Sequence, residues 1–109
     1  MADTTVVRGN IAGSYLLGPT LSPTSVANAT TAEQTFTVKG LLVGDYVNVT
    51  KPTTQAGLGL VNSRVSAADT LAITFANTTA ATITPTASEI YTVAVDRPTN
   101  TTLPTTLVI

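Results

Sequence analysis

The sequence predicts an all-β protein, a compact antiparallel β-sandwich or small barrel with extended N- and C-terminal arms. Threonine occurs 24 times and valine 12 times in 109 residues, and both are β-branched residues that favour strands. Several segments also alternate apolar and polar side chains with a period of two, as half-buried strands do. Helical periodicity does not extend beyond a single turn at residues 67–71.

Residues 1–23 are predicted to form the N-terminal arm, because glycines and prolines interrupt them repeatedly. Within this arm, Ser14–Leu17 is apolar and compatible with a short anchoring strand. At the other end, residues 97–109 form the predicted C-terminal arm, which holds two prolines and five threonines and ends on Leu107–Ile109. Exposed apolar arms are an aggregation hazard, so we expect them to dock on a neighbouring chain.

The predicted sandwich domain spans residues 24–96. Its strands are expected at residues 24–28, 33–39, 46–50, 58–66, 70–76 and 89–95. The side chains expected to face the core are Phe36, Val38, Val47, Val49, Leu71, Ile73, Phe75, Tyr91, Val93 and Val95. Between the strands, Gly40–Asp45 is predicted to be a turn that carries an apolar plug. Residues 58–66 and 70–76 are predicted to form a hairpin, in which Gly59 marks a bulge.

The composition excludes several classes of chemistry. The chain contains no histidine, cysteine or tryptophan, so a disulfide, a zinc-finger site, a thiolate nucleophile and a Ser-His-Asp triad are ruled out. Five basic residues against six acidic ones cannot neutralise many phosphates, which argues against nucleic acid as a partner. No secretory signal and no apolar run of membrane-spanning length are visible. We expect no enzymatic activity, cofactor or metal.

The remaining candidates for chemistry are weak. Asp45 and Asp69 offer a carboxylate pair, but both fall in predicted turns, where aspartate is common. Lys39 and Lys51 lie at strand ends and are expected to be solvated, which argues against a Ser-Lys dyad. Gly57-Leu58-Gly59 is not followed by a helix, so it lacks the helix N-terminus of a phosphate site.

Two further observations leave alternatives open. Arg64 is a charge in a strand of apolar and small residues, and it is either a solvated outward side chain or an intersubunit hydrogen-bond anchor. Tyr15, Tyr46 and Tyr91 are either core and rim residues or a stacking platform for sugars or bases. The residues expected at an interface are Tyr15, Leu16, Leu17, Arg64, Leu107, Val108 and Ile109.

Four segments carry a resemblance to a known group of proteins. They are residues 31–41 (TAEQTFTVKGL), 44–49 (GDYVNV), 51–52 (KP) and 55–79 (QAGLGLVNSRVSAADTLAITFANTT). This pattern resembles a module of small virion structural proteins of tailed bacteriophages, in particular capsid decoration (cement) and head-associated proteins. The resemblance covers about residues 24–95, leaves both arms outside, and carries over no functional residue.

The resemblance implies a non-enzymatic capsid decoration protein that binds across adjacent major capsid subunits and stabilises the head. The expected partners are the major capsid protein and further copies of the chain, most simply as a homotrimer at a three-fold position of the shell. The expected location is the capsid exterior, after assembly in the cytoplasm of a host bacterium. The alternative is a receptor- or carbohydrate-binding β-sandwich of a phage fibre or a cell surface.

Overall fold

Two three-stranded antiparallel sheets pack against each other and enclose the apolar core. The computed structural model describes residues 5–6, 9–100 and 102–107, and within these ranges every regular element is a strand. The strands are β1 (Thr5–Val6), β2 (Ile11–Leu17), β3 (Thr20–Leu21), β4 (Thr30–Thr37), β5 (Tyr46–Thr50), β6 (Leu58–Ala67), β7 (Thr70–Asn77), β8 (Glu89–Ile90), β9 (Thr92–Pro98) and β10 (Thr106–Leu107). One sheet has the order β2-β9-β5 and the other β4-β7-β6. The predicted all-β, sandwich-like fold is confirmed.

Alternate positions on the central strands supply the core, as the periodicity predicts. On β7, Leu71, Ile73 and Phe75 are fully buried, and on β9, Val93 and Val95 are at most 2% exposed. The edge strands bury their inward side chains less completely, so the expected core residues Phe36 and Val49 are half-buried and pack against the side of the core.

The predicted hairpin of residues 58–66 and 70–76 is formed by β6 and β7, which pair antiparallel. Asp69 occupies its turn with a φ of 59°. The bulge expected at Gly59 is not there, because Gly59 pairs regularly with Ala76. The register of β6 shifts instead between Leu60 and Asn62 and again between Val65 and Ala67.

The structure corrects the first predicted core strand, residues 24–28. Only Val26 makes a β-bridge there, to Ile83. The Val26 carbonyl also accepts a hydrogen bond from the side chain of Asn77 at the end of β7. The segment is therefore a loop that one bridge and one side chain hold in place, and it is not a strand of either sheet. The first two long strands are β2 and β4.

The N-terminal residues also differ from the predicted arm. Residues 11–17 form β2, an edge strand paired with β9, and β3 pairs with β8. Gly13 makes room for the Tyr15 ring that lies against it, because a Cβ at this position would overlap the ring. The expected boundary at residue 23 therefore does not separate an arm from the sheets.

The last predicted strand, residues 89–95, is divided in two. Tyr91 leaves the ladder and donates its backbone N–H to the Pro19 carbonyl, at 2.9 Å. β9 then continues to Pro98, beyond the predicted end at residue 95. The start of the predicted C-terminal arm thus belongs to the sheet, where Pro98 is tolerated at a strand end.

The outermost described segments of the two predicted arms pair with each other, since β1 and β10 run parallel. The molecule measures 49 × 25 × 22 Å, with a radius of gyration of 16.2 Å. A compact domain of this length has a radius of gyration of about 13 Å, so the chain is elongated.

Candidate functional site

The turn between β4 and β5 carries the apolar plug that the sequence predicts. Gly40 and Gly44 have φ values of 97° and 102°, which only glycine adopts without strain. Leu41 enters the core and is 1% exposed, whereas Leu42 and Val43 are 48% and 70% exposed. Only one of the three apolar residues therefore closes the sandwich, and the other two point into solvent.

Asp45 and Asp69 brace this turn. The Asp69 carboxylate accepts a hydrogen bond from the Gly40 N–H at 2.8 Å, and the Asp45 carboxylate accepts one from the Leu42 N–H at 3.0 Å. Each carboxylate thus bonds to the backbone of the turn, which is the turn-forming role rather than that of an acid–base pair.

Arg97 clamps the same turn from β9. Its Nε and Nη2 donate to the two carboxylate oxygens of Asp45 at 2.9 and 2.8 Å, and Nη2 also donates to the Gly40 carbonyl at 2.7 Å. The guanidinium lies 5.8 Å from the centroid of the Tyr15 ring, within cation–π range. Arg97 therefore joins β9, the turn and β2.

The Arg97–Asp45 pair is well shielded on its acidic side, because the Asp45 side chain is only 2% exposed while that of Arg97 is 30% exposed. The hydrogen bonds from Arg97 hold the pKa of the Asp45 carboxyl below its usual value, against the opposing effect of burial. The same contact raises the pKa of Arg97. Both groups are charged at neutral pH, so the clamp is an ion pair under these conditions.

Two cavities flank the clamp. One, of about 320 Å³, is lined by Tyr15, Leu17, Leu41 and Val95 with Lys39 and Arg97. The other, of about 260 Å³, lies beside Leu42, Val43, Pro98 and Leu103. Leu103 is 61% exposed. We call this region, formed by residues 39–45, Tyr15, residues 97–100 and Leu103, the Arg97 end of the sandwich.

Sequence reasoning did not identify Arg97, Leu42, Val43 or Leu103 as site residues. A usable signal was present for Arg97, because the period-two pattern that places Val93 and Val95 inward also places residue 97 inward. A charged residue at an inward position needs a partner, and the Asp45 carboxylate supplies it.

The residues predicted at an interface lie in different places. On β2, Leu16 is 75% exposed on the outer face of the sheet, Tyr15 is 48% exposed at the Arg97 end, and Leu17 is half-buried against the core. Leu107 on β10 is 65% exposed. Val108 and Ile109 lie outside the described residues. The described members therefore do not form one patch.

Arg64 points outward, but it is not simply solvated. Its Nε and Nη2 donate to the two carboxylate oxygens of Glu33, both at 2.8 Å. The hydrogen bonds from Arg64 lower the pKa of Glu33. The Arg64 side chain remains 56% exposed. Within the chain, Arg64 therefore forms a surface ion pair with Glu33 on the outer face of the β4-β7-β6 sheet.

Lys51 corrects a prediction, because it is not solvated. Its side chain is 7% exposed, and Nζ lies 2.9 Å from a carboxylate oxygen of Glu89. The ammonium also donates to the Thr53 carbonyl and hydroxyl, each at 3.0 Å. The Thr53 hydroxyl and the Lys51 ammonium lower the pKa of Glu89. This network closes the end of β5.

The three tyrosines do not form a platform. Tyr91 is fully buried. Tyr15 pairs with Val95, and Tyr46 pairs with the next residue, Asp96. Because successive positions of a strand point to opposite faces, Tyr15 and Tyr46 lie on opposite faces of one sheet.

Among the described residues, no three acidic, histidine or cysteine side chains come together as a metal site would require. These residues also contain no helix that could cross a membrane. No protein-family model, no curated protein and no solved structure matches the chain.

Proposed function

We propose that this protein is a non-enzymatic bacteriophage capsid decoration protein. It binds across adjacent major capsid subunits on the outside of the head and stabilises the shell, after assembly in the host bacterium. The observation that carries the proposal is the pair of exposed apolar residues, Leu42 and Val43, on a turn braced by Asp45, Asp69 and Arg97.

The bracing matters because it gives these apolar side chains a defined position. Binding to a preorganised surface loses less conformational entropy than binding to a flexible loop. Leu103 and Pro98 extend the same apolar surface beside Val43. An exposed apolar surface of this kind favours a protein partner, and the capsid surface is the partner that the sequence resemblance implies.

The low charge of the protein fits this role. The formal net charge is −1, and the described ion pairs Lys51–Glu89, Arg64–Glu33 and Arg97–Asp45 are satisfied within the chain. Attachment through apolar contacts should therefore weaken only modestly in high salt. Binding to the assembled shell alone stabilises that state by mass action.

On the shell, copies of the protein are proposed to gather as trimers at three-fold positions, where several capsid subunits meet. In this proposal the trimer forms on the shell, because the three-fold symmetry of the capsid lattice brings three copies together. Closed symmetry is also the usual form of homo-oligomers.

The alternative, a receptor- or carbohydrate-binding module, is favoured by one observation, the 66% exposure of Tyr46. Sugar stacking gains most from aromatic rings that share a face, however, and Tyr15 and Tyr46 point to opposite faces. We therefore prefer the decoration role.

The test is co-sedimentation of the purified protein with undecorated capsids of the phage that encodes it. The double variant Leu42→Ser/Val43→Ser keeps the Arg97 clamp and should lose binding. Val61→Ser is the matched control, because Val61 is similarly exposed, at 59%, on β6, and it should bind like the wild type.

Deleting residues 1–17 is a poor test of attachment, since it would remove β2 from its sheet.

Equal binding by the double variant and the wild type would exclude the Arg97 end as the docking surface. A wild-type protein that does not bind capsids but binds a glycan would favour the alternative, a carbohydrate-binding module.

A further inference from the structure

We infer that two copies of this chain pair through β4, antiparallel and about a two-fold axis, so that their β4-β7-β6 sheets join into one six-stranded sheet. The inference starts from the position of β4, which pairs with β7 on one side and with no described strand on the other. It concerns a contact that needs no capsid, and so it goes beyond the proposed function.

The four edge strands of the sandwich are not equivalent. Unpaired edges in soluble proteins are commonly protected by bulges, short length, proline or lysine. β2 has a register irregularity between Ile11 and Gly13, β6 has two, and β5 has only five residues and is closely followed by Pro52. Of these edges, only β4 pairs over eight residues without a register shift.

β4 also lacks the protective residue types. Its sequence, TTAEQTFT, contains no proline and no lysine. Its single charge, Glu33, is already bound by Arg64 with both carboxylate oxygens. This pairing reduces the repulsion that Glu33 exerts on an approaching strand, but it does not remove the repulsion between two Glu33 side chains placed directly opposite each other.

The inward side of β4 is left incompletely covered. Ala32, Gln34 and Phe36 point toward the core yet are only half-buried, whereas Ile73 and Phe75 on the neighbouring β7 are fully buried. A second copy along this edge would bury the remaining exposed part of the Phe36 ring.

Two antiparallel registers pair the most residues of β4, seven of its eight, and the sequence favours one of them. In an antiparallel pair, side chains that oppose each other must lie on the same face, so the two residue numbers of each pair must sum to an even number. A sum of 66 would place Glu33 directly opposite Glu33 of the second copy, a like-charge pair that destabilises a sheet.

A sum of 68 avoids this repulsion and centres the axis on Gln34. It places Glu33 opposite Thr35, Thr31 opposite Thr37, and Phe36 opposite Ala32. The large Phe36 ring then lies opposite the small Ala32 side chain. On the outer face, threonine hydroxyls lie opposite each other or opposite the Glu33 carboxylate. Self-complementarity of this kind is what an isologous two-fold interface requires.

The Gln34 amide needs no partner from the second copy, because its own chain satisfies it. Its Oε1 accepts from the Thr24 N–H at 2.8 Å, and its Nε2 donates to the Thr24 carbonyl at 2.9 Å. The inferred occupant of the β4 edge is a second copy, held by main-chain hydrogen bonds and by Phe36 packing on Ala32 of that copy.

Charge variants of the full chain test the pairing in solution. Thr31 and Thr37 are exposed, so substitutions there should leave the fold intact, as circular dichroism can verify. In the inferred register, Thr31→Lys/Thr37→Lys sets lysine against lysine twice, whereas Thr31→Lys/Thr37→Glu sets lysine against glutamate twice. Sedimentation equilibrium should show a wild-type dimer and a dissociation constant about tenfold or more higher for the first variant than for the second.

Cysteine cross-linking tests the register, because the chain has no cysteine of its own. Thr31→Cys/Thr37→Cys should form a covalent dimer on mild oxidation, and Thr31→Cys/Thr35→Cys, which fits the sum of 66, should not. A wild-type monomer at all accessible concentrations, equal dissociation constants for the two charge variants, or cross-linking by the second cysteine pair alone would each overturn the inference. Capsid binding by Leu42→Ser/Val43→Ser is a separate measurement, so the two proposals can fail independently.

Discussion

Arg64 on β6 reaches across the central strand β7 and donates two hydrogen bonds, both 2.8 Å, to Glu33 on β4. On β7, the residues that pair with Arg64 and Glu33 are Ala72 and Thr74. The small Ala72 side chain lets the arginine pass over the strand, and Ala72 itself is fully buried although it lies on the outer face. One ion pair therefore ties together all three strands of the sheet.

We predict that Arg64 and Glu33 contribute to stability only as a pair. Arg64→Ala and Glu33→Gln should each lower the free energy of unfolding slightly, and the double variant should lose less than the sum of the two. The coupling should shrink in about 1 M salt, because exposed charges are screened. Chemical denaturation at two salt concentrations measures both effects, and strict additivity would contradict the pairing.

The Arg97 clamp should weaken in acid. The pKa of Asp45 is lowered in the folded protein, so its contribution is complete above the usual aspartate pKa and is lost as the pH falls through the folded value. Asp45→Asn removes this contribution at every pH. The difference in unfolding free energy between the wild type and this variant should therefore narrow from about pH 5 to about pH 2. A constant difference would show that the ionised carboxylate does not stabilise the turn.

Tyr91 should make the protein sensitive to alkali. Burial raises its pKa from 10.0 to about 12, with a smaller effect of Glu89 in the same direction. A raised folded pKa means that stability is complete below pH 10.0 and falls as the pH rises towards 12, by about 2–3 kcal/mol in all.

Tyr91→Phe tests the same group. The Tyr91 hydroxyl is buried without a hydrogen-bond partner among the described residues, so its removal should raise the free energy of unfolding by about 1 kcal/mol. The alkaline loss should also diminish in this variant. Denaturation at neutral and alkaline pH gives both values, and a marked loss of stability at neutral pH would mean that the hydroxyl is hydrogen-bonded.

Asn77 should be the most costly polar residue to replace. It is 2% exposed, and its amide donates to the Val26 and Ala81 carbonyls at 3.1 and 2.8 Å and accepts from the Thr79 N–H at 2.9 Å. Asn77→Ala should cost about 3 kcal/mol, because it leaves buried backbone groups unpaired. Asn62→Ala, at an exposed position on β6, is the control and should change stability by less than about 0.5 kcal/mol.

The core prediction is tested with the two phenylalanines. Phe75 is fully buried, so Phe75→Ala should cost about 3–5 kcal/mol. Phe36→Ala should cost less, because Phe36 is half-buried at the edge of the core. Denaturant midpoints measured at low protein concentration compare them, and equal losses would contradict the assignment of Phe36 to the edge.

Local pattern predicted much of the fold. The alternation at Leu71, Ile73 and Phe75 and at Val93 and Val95 places these residues in the core, because side-chain direction in a strand follows from the two-residue period alone. Gly40 and Gly44 likewise mark the turn between β4 and β5, since each occupies a backbone conformation that other residues rarely adopt.

Segments that depend on distant partners could not be assigned locally. In the sequence, residues 11–17 look like an arm, but in the structure they pair with β9 as an edge strand. Residues 24–28 look like a strand, but in the structure the Val26 backbone bonds to Asn77 and Ile83 and the segment is a loop. A strand exists only where another strand completes its hydrogen bonds, and these partners are more than 50 residues away along the chain.

The sequence by itself determined the fold class, most of the predicted core positions and the exclusion of cysteine and histidine chemistry, because these depend on residue type and period. Only the tertiary structure decided which charged side chains form ion pairs within the chain. Lys51, Arg64 and Arg97 look like free cations in the sequence, yet each is bound to an acid 31 to 52 residues away in the chain. Ion pairing requires contact distances of a few ångströms, and no pattern along an extended chain specifies such long-range contacts.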